Sequence, residues 1–341
     1  MRLGAGAGFI GPDAADRIKT LEKAGIDVFW VPELYSFDCV SQMGYLAAIT
    51  ERAQIGSSIM PFYSRTPTLI AMTAAGLDAV SGGRCILGLG ASGPQVIEGW
   101  HGVPYDRPVQ RVREIVDVCR QVWRRDRVVH DGTSYTIPLP EDQGTGLGKP
   151  LKLINHPVRE LIPIYVASLG PRNVEMTAEL CEGWLPIFYW PEKATDVWNE
   201  PLEAGKAKRD AALGPLEVVA GGAVAIGDDV EHLRERSRPN LALYIGGMGA
   251  RDRNFYNDLA RRYGFEAEAK TIQDLYLDGK RDDAAAEVPK ELIDGISLIG
   301  PEGWVKERVQ AFKESGVTIL NVNPMGPEPE KTIERIRSWI D

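Results

Sequence analysis

The stretch Ile26-Asp27-Val28-Phe29-Trp30-Val31 is an almost wholly apolar run of strand length. It follows a predicted helix from Pro12 to Ala24, in which Ile18 and Leu21 stand at helical spacing and after which Gly25 is a typical stop. The run does not alternate between apolar and polar residues, so we expect helices to cover both faces of its sheet. This one stretch therefore predicts a strand of a parallel α/β sheet.

The same alternation of strand and helix continues along the whole chain. Repeated strand–helix units indicate a parallel sheet. Eight such strands spread over the full length favour a closed (β/α)8 TIM barrel over an open, doubly wound sheet. The predicted strands are Leu3–Phe9, Ile26–Val31, Ala53–Met60, Cys85–Leu89, Ile162–Ala167, Trp184–Phe188, Leu216–Ile226 and Val317–Val322.

Two segments interrupt this alternation. Residues 128–137 are typical of a β-hairpin, with Asp131-Gly132 at its turn. Residues 227–316, between the seventh and eighth predicted strands, are mostly helical. We expect them to form a helical insertion over the mouth or rim of the barrel, within a single domain of residues 1–341.

Composition and spacing exclude several function classes. The 341 residues carry a formal net charge of −9, which argues against a nucleic-acid partner, since such partners require a basic face. The four cysteines and four histidines stand in no metal-ligand spacing, so no metal site is expected. No apolar run reaches membrane-spanning length, and the first residues are strand-like rather than a signal peptide. We therefore expect a cytoplasmic protein that binds no membrane.

The loop after the fifth predicted strand is a candidate anion site, and residues 167–173 (Ala-Ser-Leu-Gly-Pro-Arg-Asn) are called the anion loop below. A small turn that opens a helix offers free backbone N–H groups and the positive end of the helix dipole. Ser168 and Arg172 add side-chain donors. The alternative is an ordinary loop with Pro171 at the first helical position.

Other loops at the predicted mouth carry weaker signals. Residues 88–94 are small enough to let a ligand approach the backbone, but they lack the G-x-G-x-x-G spacing of a dinucleotide site. Glu33 and Tyr35 follow the second strand, and His101 lies near the mouth. Spacing alone does not separate these three from surface residues. Because a G-x-S-x-G elbow and a P-loop are both absent from the sequence, hydrolase and kinase functions gain no support.

A set of segments, in a fixed order along the chain, resembles a known family. They are residues 24–33, 56–59, 83–90, 102–105 with Glu114 and Trp123, 165–171, and 244–251 with 254–256. Together they resemble the bacterial luciferase-like monooxygenase superfamily, and within it the coenzyme F420-dependent oxidoreductases. The last segment resembles an actinobacterial F420-type subgroup. The resemblance covers nearly the whole chain.

The resemblance implies a (β/α)8 barrel, often a homodimer, that transfers a hydride between C5 of a deazaflavin and a carbon of a small-molecule substrate. The implied cofactor is coenzyme F420, with FMN and oxygen chemistry as the alternative on the same fold. A cis peptide bond between Ser58 and Ile59 would support the back of the ring. The implied cofactor-binding residues are Glu33, Ser58, Ile59, Ala91, Ser92, Ser168, Leu169, Gly170, Pro171 and Arg172.

The chain departs from one part of the family. Sugar-phosphate dehydrogenase members carry Asp-His after the second strand and Glu after the fourth, where this chain has Glu33-Leu34 and Gly93. The resemblance therefore argues against glucose-6-phosphate oxidation, and a non-catalytic cofactor-binding paralogue stays an alternative. The acid/base residue is unassigned, and the candidates are Glu33, Tyr35 and His101.

Two expectations concern residues farther along the chain. F420 carries an acidic oligoglutamate tail, so a cluster of cations at the mouth would favour it over FMN. The expected contributors are Arg172, Arg251 and Arg253. Phe255 and Tyr256 are expected to form a lid or an interface, with core packing as the alternative.

Overall fold

The strands of the computed structural model, which describes residues 1–8, 11, 13–251 and 253–340, run in chain order from β1 to β12. Phe9, the end of the first predicted strand, and Pro12, the start of the first predicted helix, lie outside the described residues. The strands are β1 (Arg2–Gly6), β2 (Val28–Val31), β3 (Gln54–Ser57), β4 (Met60–Pro61), β5 (Cys85–Gly90), β6 (His130–Asp131), β7 (Thr136–Ile137), β8 (Ile164–Val166), β9 (Gly183–Trp184), β10 (Glu217–Ile226), β11 (Leu298–Gly300) and β12 (Ile319–Pro324).

Eight of these strands close into a parallel barrel, as the sequence predicts. They follow each other in the order β1, β2, β3, β5, β8, β9, β10 and β12, and β12 pairs with β1. The ring is completed by β10, which pairs with β9 at Glu217↔Gly183 and Val218↔Trp184 and with β12 from Val219 onward. All the carboxyl ends therefore meet on one side of the ring, where active sites of such barrels lie.

Helices surround the ring, and a further group of helices lies between β10 and β12 in sequence. Among the described residues, no helix combines the length and the apolar surface that crossing a bilayer requires. The helices are α1 (Ala14–Ala24), α2 (Cys39–Ile49), α3 (Pro67–Val80), α4 (Pro94–Gly99), α5 (Pro108–Trp123), α6 (Pro171–Leu180), α7 (Pro191–Lys206), α8 (Glu231–Glu235), α9 (Arg238–Ala242), α10 (Phe255–Arg262), α11 (Glu266–Leu277), α12 (Arg281–Ala286), α13 (Lys290–Ile296), α14 (Glu302–Glu314) and α15 (Pro329–Ile340).

Several predicted strands are shorter in the structure, most clearly the third, fifth and sixth. The third, predicted over residues 53–60, is divided into β3 and β4 by Ser58 and Ile59, whose peptide bond is cis. The fifth, predicted over residues 162–167, is Ile164–Val166. The sixth, predicted to reach Phe188, ends at Trp184. Pro186 has no N–H to donate to a ladder, and Phe188 has a φ of 53°, so neither residue continues a strand.

The hairpin is confirmed, with its turn shifted by one residue. Asp131 belongs to β6, where it pairs with Thr136, and the turn spans residues 132–135. The buried carboxylate of Glu114 fastens this turn, because it accepts the backbone N–H groups of residues 133–135. Burial raises the pKa of Glu114, but these hydrogen bonds and those from Gln110 and His130 outweigh it and lower the pKa.

The segment between β10 and β12 holds the helices α8 to α14 and also β11, a strand that the sequence analysis missed. β11 pairs in parallel with the carboxyl end of β10, at Val224↔Leu298. Its three residues, Leu298-Ile299-Gly300, lie between helices and are too few for a periodic pattern. The helix α14 that follows packs on β10 and α7, in the position of a barrel helix. A single domain with a helical insertion stays a prediction.

Two large aromatic side chains fill the inside of the barrel. Trp30 and Tyr165 lie with ring centroids 5.8 Å apart, in a buried cluster with Val28, Ile86 and Ile319. Their bulk requires glycine on neighbouring strands: a Cβ on Gly56 would stand 2.3 Å from Trp30, and one on Gly183 would stand 2.5 Å from Tyr165. These aromatic rings form the packed interior of the barrel beneath its mouth.

We expect Gly56→Ala to lower the free energy of unfolding by about 1–3 kcal/mol, because its methyl group would overlap the Trp30 ring. Gly76→Ala is the control, since no atom lies within 4 Å of its added Cβ, and it should leave stability unchanged or raise it. In a Trp30→Leu background the cost of Gly56→Ala should shrink. Urea unfolding measures the wild type and the four variants, and equal stability of Gly56→Ala and wild type would contradict the close packing.

Candidate functional site

A cavity of about 930 Å³ opens at the carboxyl ends of the barrel strands. Its volume lies in the range of small-molecule and cofactor sites. The structure brings together in its wall every residue that the resemblance implies for the cofactor, although binding itself stays a prediction. These residues are Glu33, Ser58, Ile59, Ala91, Ser92, Ser168, Leu169, Gly170, Pro171 and Arg172.

The anion loop presents its backbone to this cavity. α6 starts at Pro171, and Gly170 is its N-cap with extended backbone angles, φ −72° and ψ 147°. Within the described chain, the N–H groups of Leu169, Gly170 and Arg172 have no hydrogen-bond acceptor. A Cβ added to Gly170 would meet no atom within 4 Å, so the loop is open on this side. Free N–H groups at a helix start bind anions.

The carbonyl side of the same loop is fixed from behind by two tryptophans. Trp184 Nε1 donates to the Ser168 carbonyl at 2.9 Å, and Trp198 Nε1 donates to the Leu169 carbonyl at 3.2 Å. Both indoles are buried and touch each other edge to face. Because the carbonyls are held by the core, the N–H side of the loop is free to face a ligand.

The hydroxyl of Ser168 has a different role from the one that the sequence suggested. It lies 3.0 Å from Thr177 Oγ1, and Thr177 donates its own hydrogen to the Asn173 carbonyl. The Ser168 hydroxyl must then donate to Thr177, so it has no hydrogen left for an anion. Ser168 therefore braces the loop against α6, and the backbone N–H groups remain as the donors.

The opposite part of the wall is apolar and backbone-lined. Ile59 packs against Gly90, where a Cβ would stand 2.7 Å from its side chain. Ser57 Oγ donates to the Gly88 carbonyl at 2.8 Å and accepts the Gly88 N–H at 3.0 Å, which ties β3 to β5 just below. Ser92 lies in the same wall with a φ of 57°, an unusual conformation that often occurs at ligand sites.

Glu33 is a buried carboxylate, and its partners are all within the protein. Arg65 donates to both of its oxygens, at 2.8 and 3.0 Å, and the Cys39 N–H donates to Oε2 at 2.8 Å. Burial pushes the pKa of Glu33 upward, but the hydrogen bonds from Arg65 and Cys39 outweigh it and lower the pKa. An ionised, fully engaged carboxylate is poorly suited to donate a proton.

The other two catalytic candidates lie outside the cavity wall. Tyr35 is 58% exposed, and its ring contacts Trp100 with centroids 6.4 Å apart. His101 follows α4, and its Nε2 is buried without a hydrogen-bond partner in the described chain. Neither side chain lines the cavity, so their assignment as acid or base stays a prediction without geometric support.

The cations at the mouth differ in part from the expected set. Arg172 lines the cavity, but Arg251 and Arg253 do not. Arg251 instead pairs with Asp274 on α11. Arg236, which the sequence analysis missed, lines the cavity, and neither it nor Arg172 forms an ion pair within the described residues. The two free cations are 64 positions apart in sequence, so no local pattern indicates that they share a rim.

The wall also contains aromatic side chains that spacing did not assign. Phe188 comes from the loop after β9, Tyr105 precedes α5, and Tyr244 and Tyr256 come from the segment between β10 and β12. Tyr256 was expected in a lid or an interface, and the structure places it in the cavity wall together with Phe255. The resemblance to family segments covered Tyr105, Tyr244 and Tyr256, whereas Phe188 was expected only as the end of the sixth strand.

Comparisons with known proteins agree with the barrel fold. The luciferase-like monooxygenase family model matches residues 7–318. A Mycobacterium tuberculosis protein, provisionally named a coenzyme F420-dependent oxidoreductase, is 40% identical over 94% of each chain. A 5,10-methylenetetrahydromethanopterin reductase of Archaeoglobus fulgidus is 28% identical over 95% of this chain and 93% of its own. The coenzyme F420-dependent tetrahydromethanopterin reductase structure from Methanopyrus kandleri shares the fold, with TM-score 0.80 and 22% identity over 98% of this chain and 96% of that one.

We expect Glu33→Gln to lower the free energy of unfolding by about 2 kcal/mol at pH 7, since Arg65 would lose its charged partner. The pKa of Glu33 is lowered from 4.5 in the folded state, so its contribution is complete above pH 4.5 and is lost as the pH falls through the folded value. The difference in the free energy of unfolding between wild type and variant should shrink below pH 4.5. Urea unfolding across this range tests it, with exposed Glu314→Gln as the control, and a pH-independent gap would contradict the ion pair.

Proposed function

The chain belongs to the luciferase-like monooxygenase family, and we propose that it is a coenzyme F420-dependent oxidoreductase acting on a small organic substrate. The observation that carries this proposal is the cavity wall, where the open N–H side of the anion loop meets an apolar surface around Ile59. The relative from Mycobacterium tuberculosis, 40% identical over 94% of both chains and named for this cofactor, supports it.

The residues present fit a phosphate-bearing deazaflavin. The loop N–H groups of Leu169, Gly170 and Arg172 would hold the phosphate at the positive end of the α6 dipole. The apolar part of the wall, with Ile59, Ala91 and Leu185, would hold the ring. When bound, the deazaflavin would supply or accept a hydride at its C5.

The protein's own contribution is to position the reactants and to exclude water. Ile59 is fixed against Gly90, and the anion loop is fixed by the two tryptophan indoles, so both ends of the cofactor would rest on rigid parts of the barrel. Glu33, held by Arg65, would provide a fixed negative charge in the wall rather than a movable proton. No other carboxylate lines the cavity within the described chain.

Two alternatives remain distinguishable from this proposal. FMN would use the same phosphate loop, but it lacks an acidic oligoglutamate tail. The unpaired cations Arg172 and Arg236 at the rim favour the tailed cofactor. A non-catalytic paralogue would bind F420 without turnover of any reducible substrate. The phenols of Tyr105, Tyr244 and Tyr256 in the cavity wall favour an enzyme, because they can form hydrogen bonds to a substrate.

We expect Gly170→Asp to weaken F420 binding by at least tenfold, because its carboxylate would stand beside the bound phosphate. The barrel should remain folded, since the backbone angles suit any residue and the added Cβ meets no atom. Gly170→Ala is the matched control and should bind within about threefold of wild type. Calorimetric titration measures the three affinities, and an unchanged affinity in Gly170→Asp would remove the phosphate assignment and with it the proposal.

We expect Arg236→Glu to weaken F420 binding by about threefold at low salt and less at high salt. Arg236 is the cation to change, because it lies outside the anion loop that would hold the phosphate of either cofactor. FMN binding should change much less, since it has no acidic tail. Arg251→Glu is the control, because Arg251 pairs with Asp274 and lies outside the cavity wall. Equal losses for F420 and FMN, or an equal loss with the control, would show that Arg236 does not recognise the tail.

A further inference from the structure

Three aromatic residues, Phe188, Tyr244 and Tyr256, form one compact side of the cavity and are called the aromatic wall below. Phe188 meets Tyr244 edge to face at 5.3 Å between ring centroids and Tyr256 at 6.1 Å. The two tyrosine rings meet at 4.7 Å and 89°. Such mutually perpendicular rings leave flat and edge surfaces suited to another ring.

The phenols of this wall lack partners within the protein. Among the described residues, no hydrogen bond reaches the hydroxyl of Tyr244, Tyr256 or the neighbouring Tyr105. Burial, with the nearby phenols Tyr244 and Tyr105, raises the pKa of Tyr256, and burial raises the pKa of Tyr105 to about 12. All three hydroxyls are therefore neutral donors at physiological pH, and a half-buried donor without a partner favours a ligand that supplies an acceptor.

Charge is confined to other parts of the cavity. Within the described wall, the ionisable side chains besides the phenols are Glu33, Arg172 and Arg236. Glu33 is paired with Arg65, and Arg172 and Arg236 are both exposed at the rim. A charged group placed against the aromatic wall would lose its hydration with no countercharge beside it, which is costly. The chemistry of this side suits an uncharged molecule.

A buried asparagine holds the aromatic wall in shape. Asn254 Nδ2 donates to the carbonyls of Tyr244 and Ile245 at 2.9 and 3.0 Å, and its Oδ1 accepts the N–H groups of Tyr256 and Asn257. One side chain thus connects the π-helical turn that carries Tyr244 to the start of α10, which carries Tyr256. Since Asn254 is 3% exposed, these bonds are well protected, and the two rings form a preorganised pair.

We propose, on the premise that the cavity holds F420, that the aromatic wall is the substrate subsite. It would take an uncharged, ring-bearing molecule with a carbonyl-type acceptor, to which the Tyr256 hydroxyl donates a hydrogen bond. The rings of Phe188 and Tyr244 would contact the ring of this substrate. The subsite lies in the same cavity as the anion loop, so substrate and cofactor would share one water-poor space.

The test uses two bicyclic probes of similar size with the F420-loaded, oxidised protein. Coumarin carries a carbonyl acceptor, and naphthalene carries none. Equilibrium dialysis should show that both bind and that Tyr256→Phe weakens coumarin by about tenfold while leaving naphthalene unchanged, since only a hydrogen bond is removed. Phe188→Leu should weaken both probes. Tyr276→Phe is the control, because it removes a phenol of the same segment that lies outside the cavity wall.

Specific outcomes overturn the proposal. If F420 binds and neither probe does, or if Tyr256→Phe leaves coumarin affinity unchanged, the subsite assignment is wrong while the proposed function stands. If 2-naphthoate binds more tightly than coumarin, the subsite prefers an anion and the substrate class is wrong. F420 affinity, measured in each variant, should stay within about twofold of wild type. Absence of F420 binding in the wild-type protein would instead be a failure of the proposed function.

Discussion

The parallel ladder between β9 and β10, only two residue pairs long, turns a nine-strand sheet path into a closed ring. Closure places the loops after all eight barrel strands around one opening, so residues far apart in sequence share a wall. The anion loop after β8, Ser58 and Ile59 after β3, and the loop after β9 meet there. Strand pairing therefore creates the cavity, and the loops that it brings together determine the chemistry of the cavity.

Side chains that lie outside the cavity wall hold that wall in shape. Buried indoles hold the carbonyl side of the anion loop, Ser57 bridges β3 to β5, and Asn254 joins the two tyrosines of the aromatic wall. The buried carboxylates Glu33 and Glu114 are likewise occupied by hydrogen bonds. The protein therefore offers a shaped, preorganised space with few free titratable groups. Such a space suits chemistry that a bound cofactor carries.

The sequence predicted those parts of the molecule that depend on local pattern. Continuous apolar runs located the eight barrel strands, and the small turn before α6 indicated the anion loop. Pro186 was a local signal that the sixth strand ends early, although the prediction carried the strand on to Phe188. Local pattern could not show that Leu298–Gly300 pairs with β10, because that pairing depends on a distant partner. The same limit explains the rim, where Arg236 takes the place expected for residues 251 and 253. The aromatic wall required the tertiary structure, since its members lie on separate segments.

The affinity of the apo protein for F420 and, separately, for FMN decides whether the cavity is a deazaflavin site. Fluorescence or calorimetric titration of the wild-type chain with each cofactor provides both values under the same conditions. We expect tight binding of F420 and weak binding of FMN. Tighter binding of FMN would contradict the deazaflavin assignment, and binding of neither would leave the anion loop as a structural turn and the function without support.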